Sequence, residues 1–217
     1  MQTESGIDRS TAGPITVPGE RQLDMVALRA LAHPLRVQIL DTLSTYGSFT
    51  ASGLAERLGE SSGATSYHLR QLERHGFVRE VEGKGTARER WWERTPGTIN
   101  IGSDDALATP TGRSAANMIF RQMRYNQDRM LTDFIERGPD ELSPEWLHGS
   151  VVSNLNTRLT PDQMTEFVGE FSNLVDRFVT PNKHQQVVNS RPVVVNFIAF
   201  PVIDGSVIAP DQTLQNP

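Results

Sequence analysis

The amino-acid sequence predicts an α+β fold with two unequal parts. Residues 21–95 contain short apolar-periodic segments separated by residues that start and end helices, which indicates several short helices packed together. Residues 111–137 form one long apolar-periodic stretch, and residues 138–204 alternate between strand-like and helix-like patterns. We therefore predict a helical N-terminal domain with a β-hairpin, then one long helix, then a small C-terminal β-α-β unit.

Composition limits the class of protein. The chain has 217 residues, of which 37% are hydrophobic, which is enough for a core and suggests one or two domains. It has no cysteine, so disulfides, thiolate metal sites and cysteine nucleophiles are excluded. No stretch reads as a membrane span or a signal peptide. We expect no membrane partner and a cytoplasmic location.

Charge is unevenly distributed along the chain, whose net charge is -5. Residues 1–20 have one Arg against three acids, residues 21–95 eleven Lys and Arg against nine acids, and residues 96–217 nine against fourteen. The middle segment is thus net +2, while the flanking segments are net -2 and -5. A local excess of cations favours a phosphate backbone, although the interleaved acids also fit an ordinary solvated surface.

The first helices are predicted from residues that typically start or end a helix. Residues 1–20 are rich in Ser, Thr, Gly and Pro and are predicted to be a disordered tail. Leu23 to Leu31 predicts a short helix that ends before His33 and Pro34. Proline suits the first turn of a helix, so a second helix begins there and ends at Gly47.

Two more short helices are predicted to meet at a tight turn. Thr50 is a good N-cap for a helix that ends at Gly59, and Ser61 is a good N-cap for the next, which ends at Gly76. Small Ala55 allows the two helices to cross closely. The arrangement is that of a helix-turn-helix, whose second helix can enter a major groove.

The second of these helices has two different faces. Thr65, Leu69 and Leu72 recur at helical spacing and mark the inward face. The opposite face begins with small residues and continues with cations, which suits close approach to a nucleic acid. Its members are Ser62, Gly63, Ser66, Tyr67, Arg70 and Arg74.

A β-hairpin is predicted directly after this helix. Phe77 to Glu82 alternates, Gly83 to Gly85 forms a turn, and Arg88 to Glu93 returns as a strand. A hairpin behind a helix-turn-helix makes it a winged one. Lys84 at the tip and Arg88 near it are placed to contact phosphates.

The candidate DNA contacts each have a second interpretation. Arg70 is the best candidate to read guanine, but a phosphate contact or an ion pair with Glu73 or Glu93 fits equally well. Tyr67 can contact a sugar or a thymine methyl group, or can simply cover apolar surface. Ser61 can donate to a phosphate, or can be only a helix cap. His68 is expected to be a packed structural histidine rather than a ligand.

Residues 96–110 are predicted to be a polar linker that leads into the long helix. The apolar stripe of that helix is larger than a lone surface helix needs, so we predict that residues 111–137 dimerise the protein. The predicted seam comprises Met118, Ile119, Met123, Met130 and Phe134, helped by Leu23 and Leu31 of the first helix.

The C-terminal unit, residues 138–204, is predicted from three patterns. Residues 151–159 alternate like a strand, and residues 160–163 form a capping box that opens an amphipathic helix. The run from Arg191 to Ile203 reads as a second, apolar strand. Residues 205–217 are predicted to be a loose tail.

Two segments resemble the ArsR-type winged-helix transcriptional repressors. ALRALAHPLRVQIL resembles that family's second helix, and SSGATSYHLRQLERHGFVRE resembles its recognition helix and first wing strand, with the motif at Ser66, His68, Leu69 and Leu72. The C-terminal part, with Ala199-Phe200-Pro201, resembles an extension in some actinobacterial-type members. The resemblance implies a homodimeric DNA-binding repressor. It also implies contacts to duplex DNA from Ser62, Gly63, Ser66, Tyr67, Arg70, Lys84 and Arg88.

No motif indicates catalysis, a cofactor or a metal site. The five histidines include no i, i+4 pair, and there is no cysteine for a soft metal. We therefore expect any effector to be an organic molecule or a partner protein. A pocket near Met123, Met130, Trp146 and Phe197 is one prediction, and plain core packing of these residues is the other. Two rivals stay open: a winged helix used for protein contacts, and a C-terminal unit that binds or processes a small molecule.

Overall fold

The computed structural model describes residues 20–85, 89–101, 104–182, 185 and 187–206. Eight α-helices and five short strands lie in these ranges, and the last helix continues into a π-helical turn, Val175–Val179. The helices are α1 Met25–Leu31, α2 Pro34–Tyr46, α3 Ala51–Leu58, α4 Ser62–Arg74, α5 Asp104–Ala108, α6 Pro110–Glu141, α7 Pro144–His148 and α8 Pro161–Leu174. The strands are β1 Glu20–Gln22, β2 Phe49–Thr50, β3 Val78–Glu80, β4 Trp91–Arg94 and β5 Thr98–Asn100.

The hydrophobic core lies entirely in the N-terminal two thirds of the described chain. It is built from α1 to α4, the hairpin strands and the first turns of α6. Fully buried members include Leu28, Ile39, Leu54, Leu69 and Ile119. The inward face predicted for α4 is confirmed, since Thr65, Leu69 and Leu72 are all buried.

Side-chain caps set the helix starts, as the sequence predicted. Thr50 accepts a hydrogen bond from the N–H of Gly53 at 3.0 Å, and Ser61 accepts one from the N–H of Ala64 at 3.1 Å. His33 caps α2, because its Nδ1 accepts from the N–H of Leu35 at 3.2 Å. Each cap satisfies a backbone donor that has no partner inside its own helix.

The wing is an antiparallel sheet in the order β2-β4-β3. Val78 lies opposite Arg94, and Phe49 lies opposite Trp92. Trp92 is buried while Trp91 is half-buried, which is the alternation expected of two neighbours on one strand. The α+β class and the winged helix-turn-helix predicted from the sequence are therefore confirmed.

Residues 96–110 are not the polar linker that the sequence predicted. β5 pairs in parallel with β1, and α5 packs on α1 and α6. Ile101 and Ala106 are buried in the core. The apolar residues of this segment are too few to show a clear periodicity among the polar ones, so the sequence did not indicate that they are buried.

The long helix extends beyond the predicted range, from Pro110 to Glu141. Its first turns pack on α1, α2 and α5, while its second half leaves the core. None of the helices in the described ranges has the length and apolar character needed to cross a membrane.

The two predicted C-terminal strands are wrong for the described residues, because neither residues 151–159 nor residues 191–203 form a strand. The capped helix between them is present, with the full capping box at Thr160 and Gln163. Alternating apolar residues indicate that a segment has faces to bury, but a strand also needs a neighbour for its backbone hydrogen bonds. The described part of one chain supplies no such neighbour.

The predicted tails fall mostly outside the described residues. Of residues 1–20 only Glu20 is described, as the first residue of β1. Of residues 205–217 only Gly205 and Ser206 are described.

Candidate nucleic-acid interface

Helix α4 is held firmly from its inner side. The hydroxyl of Thr65 donates to the carbonyl oxygen of Ala51 at 2.8 Å, which ties α4 to α3. Gly59 adopts the left-handed conformation, with φ of 68°, so the chain can turn sharply between the two helices. At the far end, Arg21 donates to the carbonyl of His75 at 2.8 Å. The outer face of α4 is thus presented on a rigid support.

The outer face of α4 is open to solvent. Ser62, Gly63, Arg70 and Arg74 are exposed, and Tyr67 is 58% exposed despite its large ring. Ser66 is half-buried. A side-chain carbon added at Gly63 would lie 4.0 Å from its nearest neighbour, the Ser61 hydroxyl, so nothing crowds that surface.

The cations on this face are not neutralised by neighbours. Within the part of the chain that the structure describes, Arg70 and Arg74 form no ion pair. Glu93, a possible partner of Arg70 in the sequence, instead pairs with Arg79 at 2.7 Å. Two guanidinium groups therefore remain available on one face of α4.

The rings of two histidines and a tyrosine form a cluster where α4 meets the start of α2. The rings of His33 and His68 are 4.3 Å apart, and the ring of Tyr67 meets His68 edge-on at 5.1 Å. Burial lowers the pKa of His33, and the charge of Arg36 lowers it further. Burial also lowers the pKa of His68, with contributions from His33 and Arg36, while Glu60 opposes both shifts. Both histidines are therefore expected to be neutral at pH 7, as packed structural residues are.

Sequence reasoning missed Arg36 as a member of this region. Its guanidinium interacts electrostatically with Tyr67 and both histidines, and its Nε is buried without a hydrogen-bond partner in the described part of the chain. Burial lowers its pKa. Arg36 lies three residues after the capping His33, in the first turn of α2, and this closeness in sequence is the one signal that could have indicated it.

Lys84 of the wing is folded back on its own domain. Its ammonium group donates to the hydroxyl of Ser48 at 2.6 Å and lies 4.0 Å from the ring centre of Trp91. Arg88, the second predicted wing cation, lies outside the described residues. A cavity of about 530 Å³ at the wing is lined by Lys84 and three acids, Glu80, Glu82 and Glu89, together with Val81 and two glycines.

Three of the predicted dimer-seam residues are placed elsewhere by the structure. Leu23, Leu31 and Ile119 are buried in the core of their own chain, because α1 and the first turns of α6 both pack on the helices beneath them. These three side chains cannot form a contact surface. Met118 and Met123 are half-buried against the same core, and Met130 and Phe134 are half-buried further along α6.

A different face of α6 carries the exposed apolar residues. Phe120, Leu131 and Ile135 are exposed, and their spacing of eleven and four residues puts them on one side of the helix. A shallow cavity of about 480 Å³ adjoins Phe120 and Tyr125. The apolar positions of the long helix are too many for one face of a helix, so the sequence alone did not show which of them are exposed.

The structure gives the surroundings of three of the residues predicted to line an effector pocket. Phe197 stacks on Phe171 of α8, with ring centres 3.7 Å apart, and Trp146 lies under Arg191. Met123 packs against the N-terminal core. Neither cavity described above is lined by Met123, Met130, Trp146 or Phe197. An organic effector or partner protein stays a prediction.

No metal centre is present among the residues that the structure describes, where no group of three or more His, Asp and Glu side chains lies close enough to hold an ion. His184 lies outside that part of the chain.

Comparison with known proteins supports the same class for the N-terminal part. Residues 31–81 match the family described as helix-turn-helix domain. The match covers α2, α3, α4 and the first wing strand, and so includes the whole candidate interface on α4. No curated protein sequence matches the chain.

Several solved structures are similar in part. Reduced HlyU from Vibrio cholerae N16961 is 23% identical, with 44% of this chain and 83% of that chain covered and a TM-score of 0.29. A transcriptional regulator homologue from Pyrococcus horikoshii OT3 is 21% identical, with 47% and 88% covered and a TM-score of 0.27. Transcriptional regulator Tm0710 from Thermotoga maritima is 12% identical, with 72% and 89% covered and a TM-score of 0.28.

Because these TM-scores are low, the class assignment depends on the matched domain and on the geometry of α3, α4 and the wing. Together they define a DNA-binding protein of the winged helix-turn-helix class, the class used by transcriptional regulators.

Proposed function

We propose that the chain is a sequence-specific repressor of transcription that binds an inverted-repeat operator as a homodimer, as its resemblance to ArsR-type repressors implies. The observation that carries the proposal is the outer face of α4. It combines small exposed residues with two unpaired guanidinium groups, Arg70 and Arg74, on a helix held rigidly by Thr65. A major groove accepts such a helix, and Arg is the side chain that most often reads guanine.

In this proposal each part of the interface has a separate task. The N-terminal residues of α4, from Ser62 to Tyr67, approach the base edges and the nearby phosphates. Arg70 reads a base, and Arg74 contacts the backbone. Lys84 leaves Ser48 and Trp91 to contact a phosphate on the minor-groove side, with Arg88 beside it in sequence.

The test begins with selection of bound sequences from random duplex DNA by the full chain. Arg70→Ala is then compared with Arg129→Ala, which removes another exposed arginine, in α6. We expect Arg70→Ala to cost about 1–3 kcal/mol on the selected site and to relax specificity at one position, with no change for Arg129→Ala. Equal binding by the two variants would contradict the proposed interface.

The proposed wing contact is tested by measuring DNA affinity at several salt concentrations. Lys84→Ala should weaken all sequences by a similar factor and reduce the slope of log affinity against log salt by about one, because one phosphate contact is lost. An unchanged slope would remove Lys84 from the interface. Repression itself is tested with a reporter gene placed behind the selected site, whose expression should fall when the protein is produced.

We place the dimer seam on the exposed apolar face of α6 rather than on the buried residues that the sequence predicted. One recognition helix gives too small a footprint for good specificity, and a twofold protein matches a twofold site. Phe120→Glu with Ile135→Glu changes only exposed residues, so folding should persist while the mass in light scattering falls to one chain. Thr132→Glu is the exposed control on another side of α6 and should leave the dimer intact.

A further inference from the structure

The C-terminal unit contains a short segment whose amino-acid sequence is typical of a strand. Residues 193–200 read VVVNFIAF, and Pro192 and Pro201 stand at their two ends. Residues 192–203 contain no Asp, Glu, Lys or Arg. A run rich in β-branched and aromatic residues, bounded by prolines, favours an extended strand of eight residues.

One side of this segment is already covered. The ring of Phe197 lies parallel to that of Phe171 in α8, at 3.7 Å with an angle of 10°, and is 5.7 Å from that of Phe167. Phe197 and Ala199 are half-buried, whereas Ile198 is 54% and Phe200 70% exposed. The segment thus has an inner side on α8 and an outer apolar side in solvent.

The backbone groups along the two edges of the segment are unpaired within the described part of the chain. Among the described residues, no backbone hydrogen bond joins the N–H or C=O groups of residues 193–200 to any other part of the chain. Peptide groups next to apolar side chains need partners once water is removed. Such an edge is a template for another strand.

We propose that residues 193–200 pair in antiparallel orientation with the same residues of a second copy of the chain. Two C-terminal units then share one sheet, with the two α8 helices against its inner face. A second copy fits because it offers a strand of the same length with the same unmet hydrogen bonds, and an antiparallel pair about a twofold axis satisfies both chains identically. A partner recognised through charge has nothing to bind in this uncharged segment.

The inference shares the homodimer with the proposed function and adds a second contact to it. The strand contact does not involve α4.

Cysteine cross-linking tests the pairing directly, because the native chain has no cysteine. Single variants Val194→Cys, Val195→Cys, Asn196→Cys and Ile198→Cys of the full chain are oxidised without DNA, and disulfide-linked dimers are measured on a denaturing gel. Ser52→Cys, a near-isosteric change at an exposed position of α3, is the control. In an antiparallel pair, residues near the axis face their own copies at a separation that a disulfide can span.

We expect one maximum along the series, with dimer forming at least roughly tenfold faster than for Ser52→Cys, because paired thiols experience a far higher effective concentration. Similar slow rates at all four positions and at Ser52→Cys would overturn the proposal.

A second variant separates this proposal from the proposed function. Val194→Pro with Val195→Pro removes one N–H from each edge of the segment, and Val187→Pro with Val188→Pro is the control pair at exposed valines outside it. We expect the first to weaken self-association at least roughly tenfold relative to the control, with binding to a single half-site unchanged. Unchanged self-association would overturn the strand pairing while leaving DNA binding by α4 intact. Loss of half-site binding in the parent chain would contradict the proposed function instead.

Discussion

The winged helix-turn-helix and the C-terminal unit contain similar apolar side chains but bury them very differently. Leu54 of α3 is fully buried, whereas Leu155 in the C-terminal unit is 86% exposed. In the first region every helix has neighbours from its own chain. In the second, Phe197 of the following segment stacks on Phe171 of α8, and no residue of α8 is buried. An apolar pattern therefore shows that a face needs cover, but does not show which chain provides it.

The largest expected effect comes from the same change made in each region. Leu54→Ala should lower the free energy of unfolding by about 2–5 kcal/mol, since it removes buried methyl groups and leaves a cavity. Leu155→Ala should change it by less than about 0.5 kcal/mol. Urea unfolding followed by the fluorescence of buried Trp92 measures both. Equal losses of unfolding free energy would show that Leu155 is buried in the protein in solution.

A threonine pair makes the same comparison for hydrogen bonds. Thr65→Val removes the bond from the buried Thr65 hydroxyl to the Ala51 carbonyl and should cost about 0.5–1.5 kcal/mol. Thr165→Val removes a bond of 3.0 Å to the carbonyl of Pro161 on exposed α8, where water replaces it, and should cost almost nothing. Thermal unfolding distinguishes them. A larger loss of stability from Thr165→Val than from Thr65→Val would contradict the expectation that the N-terminal region is the better buried of the two.

A smaller effect is expected from pH, and only in the N-terminal region. The pKa values of His33 and His68 are lowered by burial, so below about pH 6.5 the unfolded chain binds protons that the folded chain resists. Stability contributed by the neutral pair is thus complete above that pH and falls as the pH decreases. Protonation of His33 also removes its cap on Leu35.

His68→Gln should therefore flatten the decrease in melting temperature between about pH 7.5 and pH 5.5, which spans the ordinary histidine pKa. His148→Gln, at an exposed position of α7, is the control and should not flatten it. Parallel curves for the parent chain and the His68 variant would show that the pair does not control stability.

The smallest effect is expected at the surface of the wing. Arg79 pairs with Glu93 at 2.7 Å, but the Arg79 side chain is well exposed. Exposed pairs contribute at most about 1 kcal/mol and are screened by salt. Arg79→Gln should lower the melting temperature slightly at low salt and not at all at high salt. A large, salt-independent decrease would place this pair in the core of the domain.

The local features of both regions could be predicted from the sequence alone. The caps at Thr50 and Ser61, the turn at Gly59, the inward face of α4 and the capping box at Thr160 depend on residues within one or two turns of each other. Such interactions have a short range, so a single segment contains all the atoms that decide them.

Other features required the tertiary structure, because distant segments decide them. Ile119 was predicted for a dimer seam on the strength of its stripe, but the packing of α6 on α2 buried it inside one chain. The role of Arg36 beside His33 and His68 likewise depends on how α2 meets α4. Residues 193–200 show the limit most clearly. Their sequence determined that they favour an extended strand, but pairing requires a second strand within hydrogen-bond distance, and only the spatial arrangement of the chain decides whether one is there.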